Sequence, residues 1–159
     1  MTEVSAGIIV RGGQVLACRR RNKDGTPGLW EFPGGKREAG ETAAECLRRE
    51  CREELAIDLD VGGTIAVLDW DTASTRGTNP QILRHEGISQ EILTTGLRFT
   101  FLLATLPVGE PTCLEHAQLM WLLPADLASL ALCPPDAHIL PQVLSALGQH
   151  VEQEEPEDA

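Results

Sequence analysis

Apolar and polar positions along this chain fall into runs whose periods separate strands from helices. Residues 4–10 and 14–20 are β-rich runs divided by Arg11-Gly12-Gly13, the pattern of a hairpin. Residues 29–32 form a short strand ending at Pro33-Gly34-Gly35. Residues 64–71 read as another strand, and 97–106 as a nearly continuous apolar one, hence central in a sheet covered on both faces. Residues 118–123, with Trp121, make a short strand before a helical turn at 124–127. Pro134-Pro135-Asp136 opens a last helix running to about Gly148, with Asp136 in the place of an N-cap. The 72–96 stretch is too long for a plain connection and is expected to be a lid, a dimer element, an inserted hairpin or a simple surface insertion.

The stretch 34–57, GGKREAGETAAECLRRECREELAI, has the helical period instead. Thr42 with Glu45 makes a capping box, so a helix starts there directly after the glycine-rich loop. Ala44, Leu47, Cys51 and Leu55 form an apolar stripe, and Glu50, Glu53 and Glu54 gather on the adjoining side. Taken alone, a helix rich in Glu and Arg reads as a solvated face laced with ion pairs. Beside a Gly-Gly break whose freed carbonyl can approach a ligand, the same carboxylates read as a site for a hard divalent cation, Mg²⁺ or Mn²⁺.

The segment resembles the Nudix box, G-x5-E-x7-R-E-U-x-E-E-x-G-U, with U a bulky aliphatic residue. Gly35, Glu41, Arg49, Glu50, Glu53, Glu54 and Ile57 occupy its positions. Cys51 departs from the usual aliphatic and Ala56 from the usual glycine. A left-handed residue at a helix end costs a non-glycine about 1 kcal/mol or more, so Ala56 marks the unusual point of the motif. The resemblance extends over residues 3–148, most closely to MutT-like nucleoside triphosphate pyrophosphohydrolases, through Leu29-Trp30-Glu31-Phe32-Pro33-Gly34-Gly35-Lys36, Gly109-Glu110-Pro111, the Glu115 to Trp121 spacing and Pro134-Pro135-Asp136.

What the resemblance implies is an α/β fold, an α/β/α sandwich with a mixed sheet, and hydrolysis of a nucleoside diphosphate linked to a further group. It implies metal ligation by Glu50, Glu53, Glu54 and the Gly34 carbonyl, with Glu115 as ligand or general base. Arg49 and Glu41 are implied as orienting residues, Arg49 holding carboxylates by bidentate pairing. Arg20 and Lys36 are implied at the phosphates, Phe32 beneath the base, and Asp136 as a reader of the base edge. Rival substrates are ADP-ribose, a dinucleoside polyphosphate or another nucleotide derivative. A catalytically silent nucleotide-binding module is the reading from another class, weakened by the presence of every box glutamate.

Composition narrows the partners. The 159 residues, 42% hydrophobic, suit one domain over 1–150, followed by an acidic tail at 151–159 that is expected to be disordered and solvated. A net charge of −11 argues against binding a nucleic-acid polymer and leaves local cations such as Arg19-Arg20-Arg21 and Lys23 to attract a phosphorylated small molecule. Five scattered cysteines with no CxxC pair read as reduced thiols. Nothing in the sequence reads as a signal or a membrane span, so the expected location is the cytoplasm. The chain is expected to be a monomer or a homodimer, with 82–93 as a possible interface.

Overall fold

The structure, a computed structural model, describes residues 1–70 and 96–154. The expectations for the 72–96 stretch, for an interface at 82–93 and for the end of the tail therefore fall outside the described residues. Strands β1 (Thr2–Arg11) and β2 (Gln14–Arg21) form the expected hairpin, with Val10 opposite Val15. β3 (Pro27–Glu31) leads to a short strand that the sequence reading takes for a loop, β4 (Gly34–Lys36). Helix α1 (Ala43–Leu55) follows, then β5 (Asp60–Trp70), β6 (Leu97–Thr105), β7 (Gln118–Leu122), a 3-10 turn at Pro124–Ser129 and helix α2 (Pro134–Glu154).

Seven strands among the described residues join in one mixed sheet ordered β3-β2-β1-β6-β5, with β4 paired to β1 and β7 to β2. β1 runs parallel to β6 from Thr2 opposite Leu97 to Val10 opposite Thr105, and the other ladders are antiparallel. Because both faces of the centre are covered, β1 and β6 are apolar at successive positions rather than alternating. Ala6, Ile8 and Val10 face α2, packing with Phe101, Ile139, Val143 and Leu147. Ile9 faces α1, among Leu47, Cys51, Leu55 and Leu102. The result is the α/β/α sandwich.

α1 begins where expected: the Thr42 hydroxyl accepts from Glu45 N–H at 3.1 Å and the Glu45 carboxylate accepts from Thr42 N–H at 3.0 Å. Its buried stripe is Cys46, Leu47, Cys51 and Leu55, with Ala44 only half-buried. Fully burying each leucine stabilises the docking by roughly 2 kcal/mol. Gly7 sits under this helix, where a Cβ would come 2.9 Å from Leu47 Cδ1, so a bare backbone lets α1 lie close on the sheet. The helix ends at Ala56, held left-handed at φ 54° and ψ 41° with its N–H donating to the Arg52 carbonyl at 3.1 Å. Two further bounds differ from expectation. β5 starts at Asp60, and α2 continues beyond Gly148 to Glu154, into the stretch expected as tail. No helix among the described residues is long and apolar enough to cross a membrane.

Candidate active site

β4 is the hinge of the site. Its three residues pair with β1, Gly34 opposite Ala6 and Lys36 opposite Val4, which carries the chain from the α2 side of the sheet to the start of α1. Gly34 is required there, since any Cβ would run into the Ser5 carbonyl and lie 2.8 Å from Ala6 Cα. Beside β4 opens a cavity of about 540 Å³ whose wall includes the carboxylates Glu50, Glu54, Glu115 and Asp136, the cations Arg20 and Arg21, and the rings of Phe32 and Phe99. Gly34 and Lys36 also line it.

The three closely spaced glutamates of α1 do not all turn inward. Glu50, its side chain 15% exposed, and Glu54 reach the cavity, whereas Glu53 is 58% exposed and lies 3.3 Å from Arg49 Nη1. Burial, followed by the negative fields of Glu50, Glu31 and Glu115 and a hydrogen bond with Glu50, pushes the Glu54 carboxyl up to about 8. Glu115 is brought into the same cavity, within electrostatic reach of Glu54, by the loop before β7, whose Thr112 and Leu114 N–H groups donate to the last carbonyls of α1, Leu55 and Glu54, at 2.8 and 3.3 Å. This satisfies backbone acceptors that a helix C-terminus leaves unpaired.

Arg49 ties the box together. Its Nε and Nη2 make a two-point pair with Glu41 at 2.6 and 3.2 Å, its Nη1 holds Glu50 at 2.9 Å, and its Nη2 donates to the Lys36 carbonyl at 2.9 Å. The guanidinium holds the Glu41 carboxyl below its ordinary range, helped by the Glu38 N–H. Arg49 thus pairs with Glu41 at two points while contacting Glu50, whose carboxylate lies close against Gly35.

Among the described residues no three His, Cys, Asp or Glu side chains already form a closed ligand set. The donors nevertheless fit a hard divalent cation. They are carboxylates, two of them share a hydrogen bond, and burial together with the negative fields of its neighbours drives Glu54 toward its neutral form, a cost that a bound cation would relieve.

Phe32 is 3% exposed and belongs to the core while reaching the cavity wall. Asp136 does not serve as an N-cap, because α2 starts earlier, at Pro134, and leaves it in the first turn. Its carboxylate instead reaches across to accept from Phe32 N–H at 3.0 Å, fixing the turn between β3 and β4. Of the arginine run, Arg20 and Arg21 line the cavity, while Arg19 donates to the Gly28 carbonyl at 3.0 Å and lies over the Trp30 ring. Two titratable cavity residues carry no role in the sequence reading, Glu31 and His116, whose side chains meet at 3.2 Å. They stand far apart in the chain, and nothing local announces the contact.

A NUDIX domain signature matches residues 1–143. The chain belongs to the Nudix family. It is a hydrolase that acts on the phosphoanhydride bonds of nucleotides. A putative 8-oxo-dGTP diphosphatase 2 of Mycobacterium tuberculosis is 35% identical over 136 residues, 84% of this chain and 81% of the relative. A CTP pyrophosphohydrolase of Escherichia coli K12 is 47% identical over 66 residues, 42% of this chain, and the match spans only 49% of that enzyme's length. The solution structure of the E. coli ORF135 protein superposes with a TM-score of 0.65 at 28% identity, covering 99% of this chain and 95% of the other. Nudix hydrolases generally work with a divalent metal such as Mg²⁺, in keeping with the carboxylate chemistry of this cavity.

Proposed function

We propose that this Nudix hydrolase cleaves free nucleoside or deoxynucleoside triphosphates, those with oxidised or otherwise modified bases included, to a nucleoside monophosphate and pyrophosphate. The observation that carries this reading is a cavity whose wall brings together the carboxylates Glu50, Glu54 and Glu115, the cations Arg20, Arg21 and Lys36, and Phe32, Phe99 and Asp136. These three kinds of lining suit metal, phosphate chain and base. The names of the two curated relatives, one an 8-oxo-dGTP diphosphatase and the other a CTP pyrophosphohydrolase, support the same class of substrate.

Glu50, Glu54 and Glu115, with the Gly34 carbonyl, would hold Mg²⁺ or Mn²⁺, and the outward-facing Glu53 would have to leave Arg49 to join them. When bound, such ions neutralise the phosphate oxygens and make water a stronger nucleophile. Arg49, itself anchored by its two-point pair with Glu41, keeps Glu50 in place through Nη1. Arg20, with Arg21 and Lys36, holds the phosphate chain by charge and donor geometry. Glu115 would serve as a further ligand or as the general base. Phe32 offers its ring edge beneath the base, and Asp136, an acceptor when ionised, selects bases that present an exocyclic amine or an N–H edge. An enzyme of this kind clears nucleotides from the free pool and has no use for a nucleic-acid polymer.

The test is pyrophosphate and phosphate release from a panel of normal, oxidised and methylated nucleoside triphosphates, ADP-ribose and a dinucleoside polyphosphate, with and without Mg²⁺. Metal-dependent pyrophosphate release from a triphosphate, abolished in Glu53→Gln, is expected. Silence on triphosphates with turnover of ADP-ribose or a dinucleotide would sink the proposed substrate class. An Asp136→Asn variant is expected to reorder the preference among bases, and an unchanged order would remove Asp136 from base selection.

A further inference from the structure

His116 stands beside Glu115 and is 6% exposed, in the wall of the cavity. Its Nε2 lies 3.2 Å from Glu31 Oε1, and because a carboxylate only accepts, the hydrogen sits on Nε2. The second oxygen of Glu31 faces Arg20 Nη1 at 3.8 Å. The main-chain carbonyl of His116 accepts from Arg21 Nη2 at 3.2 Å and from the Cys113 thiol at 3.0 Å. One residue on, Ala117 N–H donates to the Arg19 carbonyl at 2.8 Å. The loop that presents Glu115 is therefore fastened to the arginine run of β2 through side chain and backbone together.

The other imidazole nitrogen, Nδ1, is buried with no partner. An unpaired buried polar atom opposes folding, so stability alone favours an apolar side chain at this position. A histidine is accounted for by what its Nε2–H does to Glu31.

We propose that His116 is a positioning residue for the phosphate end of the substrate: through Glu31 it fixes Arg20, and through its carbonyl it fixes Arg21, at a set spacing from Glu115. This rests on reading Arg20 and Arg21 as phosphate contacts. The arginines and the Glu115 loop come from separate elements, and a displacement of about 1 Å between groups that must act on one substrate costs on the order of 100-fold in rate.

The experiment compares His116→Leu, which fills similar space without a donor, His116→Gln, whose amide can donate as Nε2–H does, and Glu31→Gln. The full chain is assayed on the best triphosphate with Mg²⁺, alongside thermal melting. His116→Leu is expected to melt no lower than wild type yet to raise KM about 10-fold, with a smaller change in kcat. His116→Gln should recover most of that loss. The double variant His116→Leu/Glu31→Gln should be no worse than the poorer single variant, because both remove one brace. An imidazole ¹⁵N spectrum should show the Nε2–H tautomer, with its signal moved in Glu31→Gln.

A KM unchanged in His116→Leu, equal losses in Leu and Gln variants, or strictly additive losses would each overturn the proposal. If wild type turns over no nucleotide, the proposed function fails by itself. The brace is then judged by calorimetric affinity for inorganic pyrophosphate with Mg²⁺, expected to fall about 10-fold in His116→Leu. Unchanged affinity there overturns it too.

Discussion

Gly35→Ala separates the chemistry of the box from its folding. Gly35 is not one of the glycines held at positive φ, so its backbone accepts an alanine, and the lost freedom of the unfolded chain favours the variant by about 0.4–1 kcal/mol. The obstacle is the Glu50 carboxylate, because the new Cβ would lie 2.6 Å from both Oε1 and Oε2. Comfortable contact needs about 3.5 Å, so the carboxylate must withdraw by roughly 1 Å. It is the far end of a flexible side chain and can do so without unfolding anything, but in moving it disturbs the 2.9 Å contact with Arg49 Nη1. Functional groups tolerate about 0.5 Å of error, and 1 Å costs on the order of 100-fold. The expected result is a melting temperature within about 2 °C of wild type, kcat/KM down about 100-fold on the best nucleotide, and a higher Mg²⁺ requirement. Pyrophosphate release titrated with Mg²⁺, beside a thermal melt, measures all three. Activity within threefold of wild type would refute the assignment of Glu50, and lost activity accompanied by a collapsed melt would refute the claim that the side chain gives way cheaply.

Gly34→Ala should behave oppositely, because its Cβ meets the backbone of Ser5 and Ala6; chemical denaturation is expected to show a loss of more than about 3 kcal/mol. Ala56→Gly relieves a left-handed alanine and should stabilise by about 0.5–1 kcal/mol, raising the melting temperature by a few degrees without altering kcat. In the metal-free protein Glu54 titrates near 8 rather than at its ordinary 4.5, so the stability it contributes is complete below about 4.5 and is lost as pH rises through about 8. Melts in EDTA should therefore decline over that window by about 2 kcal/mol, allowing for partial solvent access, and Glu54→Gln or added Mg²⁺ should flatten the decline; a wild-type profile as flat as the variant's would contradict the burial of Glu54. Of the five free cysteines only Cys113 is exposed, so a thiol reagent should react quickly with one thiol in the native protein and with five in denaturant.

Most of the strand order of events was readable because each run kept one period long enough to declare itself. The capping box fixed the start of α1 from Thr42 and Glu45 alone. β4 escaped notice, since three residues with two glycines have no strand propensity of their own and exist as a strand only because Gly34 can lie against β1. Spacing brought Glu50, Glu53 and Glu54 to one side of a helix, but at 100° per residue that side is broad. Arg49 and the docking angle of α1 then decide that Glu50 and Glu54 turn inward and Glu53 outward. Asp136 has the residue type of an N-cap, yet its partner, the Phe32 N–H, belongs to the turn after β3, 104 positions away. His116 and Glu31 were hidden for the same reason: local pattern reports neighbours in sequence, and their contact is made by the sheet.

The parallel ladder between β1 and β6 has a consequence for how this chain is made. β1 lies in the middle of the described sheet, and the strand beside it from Thr2 to Val10 begins only at Leu97. Until then Ile8, Ile9 and Val10 have β2 beside them only at the hairpin end, where Val10 meets Val15. Closing such distant pairs is slow, and the apolar strand stays exposed to wrong partners in the meantime. The catalytic helix can form early from its own cap, but the surface on which it docks is completed by residues synthesised long after it.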